Sequence, residues 1–364
     1  MSKTIVTFGE IMGRIEPEGY MRFRQGMPGH LNISFAGAES NVAVSNQIMG
    51  RKSRFITALP SNAIGEACLD SVRRFGVDTS FVHFAEGRLG LYFVETGANQ
   101  RPSSVIYDRD HSVISRTSAE NYNWKEAFAG ADWFHISGIT PAVSRVSAEA
   151  SLVAVKEAKA AGLQVSCDLN YRKKLWKWDP PTPQKELAET HIRKILQYVD
   201  VVIGNEEDAW DMLQIRAGDT DVESGSLEIE RYPDVAKKIV EQFPHIAKVA
   251  ITLRESLSAS HNRWGAMLYD AKKRGAYFAP RFKGEYSPYD IKNIVDRVGG
   301  GDAFSAGLIY ALTDEDLSKD LQDSLSYAVA ASCLCHSILH DFNYSTREDV
   351  LSLMKGNASG RVKR

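Results

Sequence analysis

Short apolar runs alternate with helix-like segments along most of the chain. Helical patterns with a glycine at their end cover, among others, residues 40–49, 65–76 and 144–161. Between them lie strand-like runs at residues 5–8, 54–59, 133–137, 164–168, 199–203 and 248–253. Strand, helix and strand in succession place the strands side by side and parallel. The sequence therefore predicts an α/β protein with a mostly parallel central sheet.

Two segments interrupt this alternation. Residues 11–35 lack helical periodicity and are rich in Gly, Pro, Met and Arg, and residues 81–112 contain short β-rich runs around Gly97. We expect them to form a small β-sheet inserted in one domain that spans residues 1–364. Residues 217–230 are acidic and indicate a solvent-facing insertion.

Three consecutive glycines, Gly299, Gly300 and Gly301, precede Asp302 and an apolar run with helical spacing. Glycines at a helix N-terminus expose backbone N–H groups that have no intrahelical partner, and these groups bind anions. A carboxylate beside such a turn repels phosphate but can accept a proton from a hydroxyl group that attacks it. The stretch therefore indicates phosphoryl transfer to an alcohol. A flexible loop that ends in an Asp cap explains these residues equally well.

Two common nucleotide signatures are absent from this stretch. No Gly-Lys-Ser/Thr follows the glycines, and Phe304 stands where a dinucleotide fingerprint needs a small residue. The formal charge of −2 provides no overall attraction to nucleic acid or to an anionic membrane. No apolar stretch approaches the length of a membrane span, and the N-terminus lacks a signal-peptide pattern. We expect a cytoplasmic protein whose phosphate affinity is local, with neither nucleic acid nor membrane as a partner.

The four cysteines are too few and too badly spaced for a zinc site or a disulfide framework. They are predicted to be buried free thiols.

Four motifs occur in an order that resembles the ribokinase-like, phosphofructokinase B type carbohydrate kinases. They are Ala-Gly-Ala-x-x-Asn at residues 36–41, Asp-x-Asn-x-Arg at 168–172, Asn-x-x-Asp at 205–208 and Asp-Arg-Val-Gly-Gly-Gly-Asp at 296–302. The last is similar to the form found in 2-keto-3-deoxygluconate kinases. The resemblance implies a three-layer α/β/α domain with a small β-sheet lid, and ATP with Mg²⁺ as cofactors.

The resemblance also implies roles for individual residues. Asp302 would be the base, and Gly299, Gly300 and Gly301 would hold the γ-phosphate. Substrate contacts would come from Gly37, Asn41, Tyr92, Tyr107, Arg109, Asn170, Arg172 and Asp302. Nucleotide contacts would come from Asn205, Asp208, Thr252, Gly299 and Gly301. Asp208 replaces the family's Glu and is one methylene shorter, so its contact with magnesium would be indirect, through water.

Several of these positions have a plain structural alternative. Gly37 and Asn41 also fit a small-residue helix start with a capping Asn, and Arg109 could pair with Asp108 or Asp110 on the surface. Arg254 departs from the family's nucleotide-binding turn, and extra residues follow it up to Gly265. We expect a loop in that stretch.

The function implied is ATP-dependent phosphorylation of the 6-hydroxyl of 2-keto-3-deoxygluconate, giving 2-keto-3-deoxy-6-phosphogluconate. A guanidinium at Arg109 would suit the carboxylate of a sugar acid. The alternatives are a kinase for another sugar, such as fructose, and a catalytically silent sugar-binding regulator. A homo-oligomer, with a dimer through the lid, is expected, and a monovalent cation near the glycine turn is a further candidate cofactor.

Overall fold

The chain forms a central β-sheet between layers of helices, with a smaller sheet beside it. This computed structural model describes residues 3–216 and 229–357. Its strands are β1 (Thr4–Phe8), β2 (Met12–Glu16), β3 (Asn32–Ala36), β4 (Lys52–Ile56), β5 (Ala58–Pro60), β6 (His83–Ala85), β7 (Leu91–Glu95), β8 (Ser104–Asp108), β9 (Trp133–Ser137), β10 (Gln164–Asp168), β11 (Val201–Gly204), β12 (Lys248–Ser258), β13 (His261–Asp270), β14 (Gly275–Ala279), β15 (Arg281–Phe282), β16 (Glu285–Tyr286) and β17 (Tyr289–Lys292).

Its α-helices are α1 (Phe23–Gly26), α2 (Ala38–Ile48), α3 (Ala63–Arg73), α4 (Val113–Arg116), α5 (Trp124–Phe128), α6 (Ile139–Val143), α7 (Arg145–Ala160), α8 (Gln184–Leu196), α9 (Glu206–Leu213), α10 (Tyr232–Gln242), α11 (Gly300–Leu312), α12 (Leu321–Cys335) and α13 (Arg347–Met354). The predicted acidic insertion lies largely outside the described residues. In the part of the chain that is described, no helix is both long and apolar enough to cross a bilayer.

The central sheet has the order β14-β13-β12-β11-β10-β9-β1-β4, and β17 also pairs with β13. The strands from β4 to β12 in this order run parallel, whereas β13, β14 and β17 pair antiparallel. The predicted mostly parallel sheet is confirmed. Because parallel strands end at one edge, the residues that follow β1, β9, β10 and β11 meet there.

Alternate residues of the buried strands pack on opposite faces of the sheet. Val6 and Val202 belong to a core with α7, α8 and α10, whereas Ile5 and Ile203 belong to a second core with α2, α11 and α12. This alternation is the period of two expected of a strand covered on both sides. It confirms the predicted three-layer α/β/α arrangement.

The small sheet has the order β3-β2-β7-β8. Arg14 pairs with Tyr92, and Tyr92 with Tyr107, so these side chains share one face. A cross-strand row of apolar residues lies on the other face, namely Ile33, Ile15, Phe93 and Ile106. The predicted small sheet is therefore present, with one polar face and one apolar face.

The prediction of a loop after Arg254 is wrong. Strand β12 continues to Ser258, and β13 begins at His261, so the extra residues extend a β-hairpin of the central sheet. His261, the first residue of β13, contacts Asp290 on β17 rather than lying in a loop. The sequence there is polar, and β17 also pairs with β13 along this stretch.

All four cysteines are free thiols, as predicted. Cys68, Cys167 and Cys335 are buried, whereas Cys333 is only partly buried.

Candidate active site

The glycine turn lies at the N-terminus of α11. Gly299 is the N-cap with a φ of 83°, and the N–H of Ala303 donates to its carbonyl oxygen at 2.8 Å. Because this is the first turn of the helix, the N–H groups of Gly300, Gly301 and Asp302 have no intrahelical acceptor. The predicted helix start is confirmed, and its free donors suit an anion.

Packing explains two of the three glycines. A Cβ atom at Gly299 would overlap the carbonyl oxygen of Asp341, and one at Gly300 would lie 2.9 Å from Cε1 of His336. A Cβ atom at Gly301 would meet no atom within 4 Å. The turn is therefore supported from behind by α12 and the segment after it, and it is open at Gly301.

Asp302 lies in the first turn of α11 and faces the first turn of α2. The Nδ2 of Asn41 donates to Oδ2 of Asp302 at 2.6 Å. Burial raises the pKa of Asp302 to about 6, although the Asn41 hydrogen bond opposes the shift, and the charge on Asp341 adds to it. A carboxylate with this pKa is a stronger base than an exposed aspartate and is still ionised at neutral pH.

The pH dependence of activity should report this carboxyl group. With Asp302 as the predicted base, we expect kcat/KM to fall about tenfold for each pH unit below about 6 and to level off above it, because only an ionised carboxylate can accept a proton. The apparent value will belong to the group of interacting acids rather than to Asp302 alone. Initial rates across the acidic and neutral range test this, and a profile that stays flat through pH 6 would contradict it.

Two further acids lie near Asp302, Asp168 at the end of β10 and Asp208 in the first turn of α9. Burial raises the pKa of Asp168 well above its usual range, and the charges of Asp208 and Asp302 raise it further. Arg172 lowers the pKa of all three carboxyl groups and is thus their nearby cation. A cation among these acids can stabilise charge that develops during a reaction.

Asp168, Asn170 and Arg172 do not lie on one continuous strand. Strand β10 ends at Asp168, and Asn170 has a φ of 43°, so the chain turns instead of remaining extended. Asn170 is buried, and Arg172 reaches the acids from the turn.

Asp208 and Asn205 form a capping box at the start of α9. Oδ2 of Asp208 accepts from the N–H of Asn205 at 3.1 Å, and Oδ1 accepts from the N–H of Tyr171 at 2.8 Å. Both carboxylate oxygens are therefore engaged, which fits a contact with magnesium through water rather than directly. Among the described residues, no group of three or more acids, histidines or cysteines could hold a metal.

Thr252 lies on β12 next to β11. Its hydroxyl donates to the carbonyl oxygen of Gly204 at 3.5 Å. Arg254, two residues further along the same strand, is exposed. A cation at this edge is compatible with phosphate, and the nucleotide contact predicted for Thr252 stays a prediction.

Residues predicted to contact substrate from the small sheet already have protein partners. The hydroxyl of Tyr92 donates to Asp341 at 3.0 Å, and Nε of Arg109 donates to Glu10 at 2.8 Å. The guanidinium carbon of Arg109 lies 5.6 Å from the ring centre of Tyr107. Their assignment to the substrate stays a prediction.

Gly37 lies where β3 meets α2. A Cβ atom there would overlap the carbonyl oxygen of Glu10, so only glycine lets the two segments approach this closely.

The sequence analysis missed Glu39. Its Oε1 accepts from the N–H and hydroxyl of Ser137 at 2.9 and 2.6 Å and from the hydroxyl of Thr140 at 3.1 Å. Burial raises the pKa of Glu39 to about 7. Its only sequence signal was an acid inside an otherwise small-residue helix start. The sequence analysis also gave no role to Asp341, which accepts a hydrogen bond from the hydroxyl of Tyr92 at 3.0 Å.

Comparisons with known proteins agree with this geometry. The sequence pattern of the pfkB family carbohydrate kinases matches residues 2–256 and 264–337, and the gap coincides with the tip of the β12–β13 hairpin. A crystal structure of 2-dehydro-3-deoxygluconokinase from Thermotoga maritima is similar, with a TM-score of 0.86 and 38% identity, over 97% of this chain and 100% of that one.

Two curated proteins are similar over nearly their full length. The 2-dehydro-3-deoxygalactonokinase of Haloferax volcanii is 27% identical over 360 residues, 99% of each chain. Fructokinase-2 of Solanum lycopersicum is 26% identical over 365 residues, 98% of each chain. The similarity thus extends across kinases named for different sugars.

Proposed function

Because the chain belongs to the pfkB family of carbohydrate kinases, we propose that it transfers the γ-phosphoryl group of ATP to the 6-hydroxyl of 2-keto-3-deoxygluconate. The product is 2-keto-3-deoxy-6-phosphogluconate. The observation that carries the proposal is the position of Asp302, a carboxylate with a raised pKa, directly at a glycine turn with free N–H groups. The reaction takes place in the cytoplasm.

In the proposed reaction Asp302 accepts the proton of the 6-hydroxyl. That oxygen bonds to the γ-phosphorus as the bond from phosphorus to the β-phosphate oxygen breaks, and ADP leaves. The N–H groups of Gly300 and Gly301 hold the transferring group, and Asn41 fixes Asp302 through its 2.6 Å hydrogen bond. Arg172 lies where it can offset the negative charge of the phosphates and of the neighbouring acids.

Magnesium bound with the nucleotide would shield the phosphate charges. Asp208 would contribute through water, since both of its oxygens already accept backbone hydrogen bonds. Asn205 keeps this carboxyl group in place at the start of α9, and Thr252 would contact the nucleotide. The small sheet acts as the lid that excludes water, because an exposed γ-phosphate would be hydrolysed.

The preference for a sugar acid rests on arginines that can meet its carboxylate. Arg172 lies among the reacting groups, and Arg109 lies on the polar side of the small sheet near Tyr107 and Tyr92. Because Nε and Nη2 of Arg109 donate to Glu10, its contact with the substrate uses Nη1. Gly37 and Asn170 would contact the substrate as well. The relative named for 2-dehydro-3-deoxygalactonate makes that C4 epimer the second candidate substrate.

A substrate panel tests the proposed function. We expect Mg-ATP turnover, measured as ADP release, to be at least about tenfold higher in kcat/KM for the two keto-deoxy acids than for fructose or ribose. The reason is that a neutral ketose leaves the arginine donors unpaired. Fructose as the best substrate would keep the kinase but remove the carboxylate argument. Sugar binding without any turnover would instead support a silent regulator.

We also propose that two copies pair through the apolar face of the small sheet. Ile33 and Ile106 on that face are 57% and 56% exposed and continue the row through Ile15 and Phe93. Exposed apolar rows of this kind usually mark an interface. A second copy of the chain carries the same apolar row, and in an isologous dimer both copies contribute the same patch to the interface.

If two copies pair in this way, charged residues placed on the apolar face should separate them. The double variant Ile33→Glu and Ile106→Glu should be monomeric by light scattering, whereas the unmodified protein should be dimeric, because buried carboxylates would face each other. Ile64→Glu is the matched control, since Ile64 is 51% exposed on α3 and away from the small sheet. An unmodified protein that is monomeric would contradict the proposal.

A further inference from the structure

Arg14 on β2 is completely buried and contacts three carboxylates. Its Nε and Nη2 donate to Glu16 at 3.0 and 2.7 Å. Nη2 also donates to Asp296 at 2.6 Å, and Nη1 donates to Asp341 at 2.6 Å. A single guanidinium therefore joins acids that are separated by almost the whole length of the chain.

Two of these acids support the glycine turn directly. Oδ1 of Asp296 accepts from the N–H of Val298 at 3.0 Å, just before the turn. The backbone of Asp341 lies against Gly299, where no Cβ atom fits. Arg14 thus connects the small sheet with both the segment that enters the turn and the segment that packs behind it.

The charges of this cluster need a cation. Glu16, Asp296 and Asp341 are all buried, and buried carboxylates are costly unless they are paired. Burial by itself would lower the pKa of Arg14, but the surrounding acids, Asp341 first among them, raise it above its usual range. Arg14 therefore stays charged. Around it, Tyr92 donates to Asp341, and Nε2 of His340 lies 3.0 Å from Glu16.

We propose that Arg14 is a positioning residue that holds the glycine turn in place and supplies, from within the chain, the positive charge that the neighbouring acids require. The enzyme then needs no added monovalent cation at this place. The catalytic part of this proposal rests on the kinase function proposed above, whereas the charge part does not.

The proposal makes the cation response of an Arg14 variant informative. In Arg14→Gln, three carboxylates lose their counter-charge, and the space of the guanidinium opens. A small inorganic cation such as K⁺ can then enter and partly replace the lost charge. A large cation such as tetramethylammonium cannot enter. The turnover and the unfolding midpoint of the unmodified protein should be the same in K⁺ and in tetramethylammonium, because its guanidinium already occupies the space.

The experiment compares the full-length protein with Arg14→Gln, Arg14→Lys and Arg51→Gln, each in K⁺ and in tetramethylammonium. Arg51 is the matched control. It is a partly buried arginine that pairs with Asp314 at 3.2 Å and with the carbonyl of Tyr310, at the other end of α11. Turnover, the KM for ATP and the thermal unfolding midpoint are measured for each.

We expect Arg14→Gln to lower kcat roughly 10- to 100-fold, the effect of a displaced catalytic turn, with a smaller change in KM. K⁺ should raise both its kcat and its unfolding midpoint, and Arg14→Lys should recover part of the loss. Arg51→Gln should lower the midpoint without any cation response.

A requirement for K⁺ in the unmodified protein would overturn the proposal, as would full turnover of Arg14→Gln. If Arg14→Gln does not fold, the proposal is tested instead by the cation response of the unmodified protein and by the turnover of Arg14→Lys. If the unmodified protein phosphorylates none of the sugars, the kinase function fails. The unfolding midpoints in the two cations still test the charge of Arg14 in that case.

Discussion

Asp302→Asn should reduce kcat about 10²- to 10⁴-fold, the usual contribution of a general base, while the protein stays folded and binds ATP. An amide in this place can still accept the hydrogen bond from Asn41, so the geometry of the turn is kept. It cannot accept the proton of a sugar hydroxyl. Steady-state rates give the loss, and ATP titration with thermal unfolding shows whether binding and folding remain.

Asp323→Asn is the matched control for this variant. Asp323 has the same place in the first turn of α12 as Asp302 has in α11, but it is exposed. The same chemical change there should leave kcat within about a factor of two, since surface substitutions change little. The acidic limb of the pH profile should also disappear in Asp302→Asn. Turnover near that of the unmodified enzyme, in a preparation free of host kinases, would remove Asp302 from the role of base.

Gly299→Ala should cost at least about 2 kcal/mol of unfolding free energy and abolish most of the activity. Gly299 has a φ of 83°, a conformation that costs an L-residue roughly 1–2 kcal/mol. The new methyl group would also overlap the carbonyl oxygen of Asp341, and the backbone would have to move. The free N–H groups of the turn would move with it. Denaturant unfolding and kcat test the two effects.

Gly301→Ala tests whether the loss of stability in Gly299→Ala comes from the conformation and packing of Gly299 or simply from replacing a glycine in this turn. A methyl group there meets no atom within 4 Å, so stability should be unchanged or slightly higher, because alanine favours the helix. Equal destabilisation by both substitutions would show that conformation and packing at Gly299 are not what the turn requires.

Local patterns were enough to place most of the elements. Strands β9 and β10 have the predicted bounds, because each is delimited by its own residues. Strand hydrophobicity, glycine stops and capping side chains act within a few positions, and they can be read without knowing the fold. The glycine turn was predicted for the same reason.

Contacts between distant segments could not be predicted in this way. Residues 254–265 were expected to form a loop, but they continue the β12–β13 hairpin, and β13 also pairs there with β17. The turn at Asn170 depends on a positive φ, which the sequence pattern did not indicate. Arg109, expected to face a substrate carboxylate, lies against Glu10, which precedes it by 99 positions.

The sequence by itself determined that this chain is an α/β protein with a glycine turn at a helix N-terminus and an acid beside it, because these features depend on neighbouring residues. Only the tertiary structure decided which acids the turn meets. Three contacts bring together side chains from distant parts of the chain. Asn41 donates to Asp302, Arg172 lies near three carboxylates, and Arg14 joins Asp296 and Asp341. Their charges and pKa values arise from burial and mutual distance, which exist only after folding.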